Sequence, residues 1–110
     1  MPIDSDKDPR FDYHSFIESV LSKDKDEILK KDVEYGASWK KRGGTGAFMM
    51  LARKWDRIEE QVEGYAYDIF MACDKDTRPE GIIDDIRDLR RYLILIEAEI
   101  MHRKFKNELT

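Results

Sequence analysis

Cysteine is all but missing from this chain of 110 residues, since Cys73 stands alone. A single thiol excludes an internal disulfide and a cysteine-built metal site, and leaves a partly buried side chain in a cytoplasmic protein as the expectation. Histidine is nearly as scarce. His14 and His102 lie far apart in polar surroundings, so no Ser-His-Asp or Cys-His arrangement can be assembled from them. Long apolar runs are absent too: the longest, Tyr92 to Ile96, is far too short to cross a bilayer. The acidic N-terminal stretch has no apolar core and reads as no signal peptide. Two of the three prolines, Pro2 and Pro9, fall in that stretch, and residues 1–10 are expected to form a flexible arm. No β-type alternation of any length occurs, nor any internal repeat.

Charge is what the chain does have. Charged residues make up 40% of it against 41% hydrophobic, so the surface is highly charged without the hydrophobic depletion of a disordered protein. The net charge of −4 argues against duplex DNA as a partner, although 20 basic residues remain for a local anion site. The length fits one small domain, taken as 11–110, with a modest core.

The apolar spacing is helical throughout. Phe11, Tyr13, Phe16, Ile17, Val20 and Leu21 predict a first helix, with a turn or a fresh helix start at Lys23 to Asp26. Ile28, Leu29 and Val33 then form a second narrow stripe, stopped by Gly36. A basic, glycine-broken loop follows, and Thr45 is placed to cap the next helix. On that helix Phe48, Leu51, Ala52, Trp55, Ile58 and Val62 share one face. Gly64 interrupts the pattern, and Tyr65 to Cys73 continue it or begin a short separate helix. Asp76 or Thr77 would cap a final helix with Pro79 and Glu80 in its first turn, carrying the stripe Ile82, Ile86, Leu89, Leu93, Ile96 and Ile100. An all-α fold follows: a small antiparallel bundle of about four helices. Ile94 and Leu95 lie off the main stripe with little left to cover them, so the bundle is expected to be completed by homo-oligomerisation.

Acids accompany these stripes. With Trp55 as the middle of the buried face, Glu59 lies about 40° and Glu63 about 80° away, while Glu60 turns outward. With Leu89 as reference, Asp85 falls about 40° into the apolar face and Asp88 flanks it at about 100°. Acids inside an apolar stripe are costly unless they are paired or bound to a cation. An oxygen-rich set of this kind suits magnesium, with manganese as the alternative. Equally, Arg53, Arg57, Arg87 and Arg90 lie near enough to pair with these acids as ordinary surface ion pairs.

Glu59-Glu60-x-x-Glu63 followed by Asp85-x-x-Asp88 resembles the signature of the all-helical MazG-like nucleotide pyrophosphohydrolases, with Asp85 where that family has glutamate. The resemblance implies Mg²⁺ held by Glu59, Glu60, Glu63, Asp85 and Asp88, and water attack on a nucleoside triphosphate with Glu59 and Glu63 as catalytic acids. A second resemblance spans roughly residues 28–100. Tyr35-Gly36-x-x-Trp39-x-x-Arg42-Gly43, Arg53-Lys54-Trp55-Asp56-Arg57 and Asp85-x-x-Asp88-Leu89-x-x-Tyr92 are similar to the phage-associated nucleotide modification associated domain 1 family. It implies nucleotide metabolism, in the host cytoplasm if the chain is phage-encoded, without fixing a reaction.

The glycine loop points the same way. Gly43, Gly44 and Gly46 expose backbone N–H groups at a helix start, and Lys40, Lys41 and Arg42, with Arg53, are candidate phosphate contacts. No P-loop pattern is present, and a flexible connector with solvated charge is the alternative. Tyr35 and Trp39 flank the loop and either stack on a base or pack on the bundle. The sequence therefore predicts a Mg-dependent nucleotide-binding protein, with a non-catalytic nucleotide-binding module or a helical protein-interaction domain as rivals. No membrane partner is expected.

Overall fold

Helix accounts for almost all of the computed structural model, which describes residues 12–109. The expected N-terminal arm lies outside these residues. Four α-helices occur among them, α1 (Tyr13–Tyr35), α2 (Gly43–Glu63), α3 (Ile69–Lys75) and α4 (Ile82–Leu109), with a 3₁₀ turn at Ser38–Lys40 and no strand. None of the helices is long and apolar enough to cross a membrane. The chain divides after Gly36 into two compact units.

The first unit is α1. It replaces the two short helices expected here, because nothing between Tyr13 and Tyr35 breaks helix. Glu27 and Lys31, and Asp26 and Lys30, sit at the i, i+4 spacing that supports helix through the charged stretch instead of ending it. Asp12 caps the start, its carboxylate accepting from the His14 N–H at 3.0 Å. Gly36 stops the helix at φ 59°, as its position predicts.

In the second unit α2 and α4 run antiparallel, and α3 closes one end. Ile58, Val62, Ala72 and Ile82 form the core there, with Ile69, Cys73, Ile86 and Leu89 packed around them. Burial and the weak Coulombic effect of Asp76 push the Cys73 thiol pKa up, which keeps the lone cysteine protonated. Between α2 and α3 the chain turns through Ala66 and Tyr67, both in the left-handed region at φ 54° and 63°. Asp68 then caps α3, accepting from the Phe70 and Met71 N–H groups at 3.1 Å each.

The start of α4 is built around Asp76. Its carboxylate accepts from the Ile82 N–H at 2.6 Å and from the Arg78 side chain at 2.9 Å and 3.1 Å. These bonds, Arg78 first, hold its pKa well below the usual carboxylate range. Gly81 is buried against it, and a Cβ at that position would collide with the carboxylate. The Gly81 N–H in turn donates to Asp84 at 2.9 Å, the reciprocal half of a capping box. Pro79 and Glu80 therefore precede the helix and are not its first turn.

Candidate functional site

The buried line of α2 is not the one centred on Trp55. Ala47, Ile58 and Val62 are buried and Met50, Leu51, Lys54 and Gln61 half-buried, whereas Phe48 and Trp55 are 65% and 56% exposed. The inward face is thus rotated roughly 60° from Trp55 toward Ile58. Its middle is occupied by a lysine, which spacing rules assign to solvent. Lys54 can lie there because α4 presents carboxylates to it. Its Nζ is 2.9 Å from Asp88 and 3.8 Å from Asp85, and Arg57 Nε donates to Asp85 Oδ1 at 2.9 Å.

That rotation redistributes the expected metal set. Asp85 is inward as predicted, with a side chain only 3% exposed, but it is engaged by cations of the protein itself. Its Oδ2 is buried with no hydrogen-bond partner among the described residues. Asp88 is half-exposed and bound to Lys54. Glu59, Glu60 and Glu63 are all exposed, and Glu59 accepts a hydrogen bond from the Trp55 indole at 2.9 Å. No three Asp, Glu, His or Cys side chains converge on a cation position among the described residues. The acids read from the sequence as ligands for Mg²⁺ or Mn²⁺ thus stand apart among the described residues, with Asp85 buried, Asp88 half-exposed and Glu59, Glu60 and Glu63 exposed.

The glycine loop builds a different site. Arg42 precedes α2, and Gly43 takes φ 74°, a turn favoured by glycine, so the helix begins two residues before Thr45 and no side chain caps it. Its first N–H groups are left for other acceptors. Beside them lies a groove of about 290 Å³. Trp39, Phe48 and Leu51 form one wall and Ile96 and Ile100 the other, with Lys40, Glu99 and Arg103 as its charged groups. Lys40 Nζ sits 2.6 Å from Glu99 Oε2, and Arg103 Nε donates to Glu99 Oε1 at 3.0 Å. Lys40 first, then Arg103, lowers the Glu99 pKa. Two cations on one carboxylate leave the groove with a surplus positive charge.

Of the candidate ligand-binding residues, Trp39 and Lys40 line this groove, together with Gly43 and Gly44. Lys41 and Arg42 are exposed at the same helix start, and Arg53 is exposed ten residues further along α2, roughly 15 Å away. Tyr35 is the exposed last residue of α1, in the first unit. The groove and the carboxylates do not share a site. From Asp85 to Glu99 α4 rises by roughly 21 Å, and from Gly43 to Glu59 α2 rises by roughly 24 Å. The loop and the acids lie at opposite ends of the helix pair. Phe48, Glu99 and Arg103 were missed as site residues. The signal available was Glu99, an acid between the apolar Ile96 and Ile100, with Arg103 at i+4. Comparison with family models finds no match, and neither the curated proteins nor the solved structures yield one.

Proposed function

We propose that this chain is a nucleotide-binding module whose ligand is held in the groove between the start of α2 and the second half of α4. The observation that carries the proposal is the meeting of an aromatic wall with cations and an uncapped helix start. Trp39 and Phe48 stand beside Lys40, Arg103 and the N–H groups at Gly43 and Gly44. A base stacks on an aromatic ring at a gain of about 1–3 kcal/mol per contact. Phosphates suit a helix N-terminus flanked by lysine and arginine. At about 290 Å³ the groove lies at the small end of ligand pockets. That volume takes one nucleoside moiety, with phosphates outside it along Lys41 and Arg42.

Two sequence resemblances, one through Glu59–Glu63 with Asp85–Asp88 and one through Tyr35–Gly43, Arg53–Arg57 and Asp85–Tyr92, favour the same ligand class. The carboxylates that a hydrolase of the MazG-like type would use for magnesium are spread over three environments.

Calorimetric titration with nucleoside mono-, di- and triphosphates, with Mg²⁺ and again with EDTA, tests the reading. Binding of an intact nucleotide in both conditions, lost in Trp39→Ala, is the expected result. Absence of binding by every nucleotide would favour the protein-interaction reading instead. Release of pyrophosphate only with Mg²⁺ would restore the enzyme reading.

A further inference from the structure

The face of α4 turned away from α2 carries a second pattern. Ile94, Ala98, Met101 and Phe105 recur at intervals of four, three and four, the a/d spacing of a two-helix seam. Their mean direction lies roughly 170° around the helix from Ile96, which lines the groove. All four are exposed, Met101 by 65% and Phe105 by 59%. Glu97 and Lys104, both exposed, flank the same edge of this stripe.

We infer that this stripe is a self-association surface, on which the α4 helices of two copies pair antiparallel about a two-fold axis between Glu99 and Ile100. In that register Ile94 packs on the partner's Phe105, and small Ala98 receives the partner's Met101. Glu97 comes beside the partner's Lys104, and the symmetry repeats each contact. Apolar side chains thus meet apolar ones, with Met101 seated over the small Ala98, and Glu97 and Lys104 on that edge each meet the opposite charge. A parallel pairing sets each stripe residue against its own copy and, by the same spacing, gives Lys104 no opposing carboxylate. The seam is only about 17 Å long, so it buries less than the ~1,200 Å² of a standard interface. A weak, concentration-dependent dimer follows. The pairing uses the side of α4 opposite the groove and leaves the ligand site open.

Sedimentation velocity of the full chain, from about 1 to about 100 µM, tests the inference. The expected result is a mass rising toward two chains in the upper part of that range. Glu97→Lys sets lysine against the partner's Lys104 twice and weakens the dimer by roughly tenfold or more. Glu97→Lys with Lys104→Glu restores it, and Phe105→Glu abolishes it, with circular dichroism showing helix content unchanged in each variant. A single-chain mass throughout would overturn the inference. So would a dimer indifferent to Glu97→Lys, or a charge swap that fails to restore association.

Discussion

Asp85→Ala separates the two roles open to the inward carboxylate. In the structure Asp85 is the buried counter-ion of Arg57 at 2.9 Å, with Lys54 at 3.8 Å. Removing one side of a fully buried pair costs about 3–5 kcal/mol, because the remaining charge is stranded. Here the partners keep some water, with Lys54 19% and Arg57 40% exposed, and Lys54 retains Asp88 at 2.9 Å. The expected loss is therefore smaller, about 2–3 kcal/mol, or a fall in Tm of roughly 10–20 °C. Asp88→Ala, at a side chain 32% exposed, is expected to cost only about 0.5 kcal/mol. Urea titrations in EDTA, with m unchanged, measure both. A cation-binding Asp85 has the opposite signature: without metal its removal relieves repulsion among acids, so stability holds or rises. An Asp85→Ala loss below about 0.5 kcal/mol, or one smaller than that of Asp88→Ala, would refute the ion-pair reasoning.

Gly81→Ala is expected to lower stability by about 1–2 kcal/mol, since its Cβ meets the Asp76 carboxylate that caps Ile82. Thermal melts measure this, and an unchanged Tm would contradict the packing at the start of α4. Acid should weaken the second unit through Asp76 and Glu99. Both carboxylates have lowered folded pKa values, so their contributions are complete above the unfolded values of about 3.9 and 4.3 and fade as pH falls through the folded ones. Unfolding free energies measured from neutral pH downward should hold until about pH 5 and then decline, and Glu99→Gln should flatten part of that decline. A decline unaffected by Glu99→Gln would count against the Lys40–Glu99–Arg103 network.

The all-helical class was legible because apolar residues recur at helical spacing and no stretch alternates. The stops at Gly36 and Glu63 were legible from Gly36 and Gly64. The continuity of α1 was hidden by Lys23–Asp26, where dense charge reads as a turn but serves equally as an exposed helix surface. The phase of α2 was misread for a physical reason. Lys54 occupies an inward position only because Asp85 and Asp88 face it from another helix, and a one-helix pattern cannot show that pairing. The same rotation turned Glu59 and Glu63 outward. Asp85 was legible as inward and Arg57 as one of the cations able to pair with it, but Lys54 was not, since its place on α2 reads as solvent-facing. The Asp76–Ile82 cap joins residues across a loop, and its sign in the sequence was only an acid near a helix start. Trp39 and Lys40 were found from the glycine loop. Glu99 and Arg103 were not, because they reach the groove from α4, more than fifty residues further along the chain.

The most direct test of nucleotide binding at the groove is amide chemical-shift mapping by NMR, titrating a nucleoside triphosphate in EDTA and again with Mg²⁺. The expected changes fall on Trp39 to Phe48 and on Ile96 to Arg103 in both conditions. They should vanish in Trp39→Ala and persist in Glu63→Gln. Changes confined to Glu59–Glu63 and Asp85–Asp88, dependent on Mg²⁺ and lost in Glu63→Gln, would contradict the groove and return the ligand to the carboxylates.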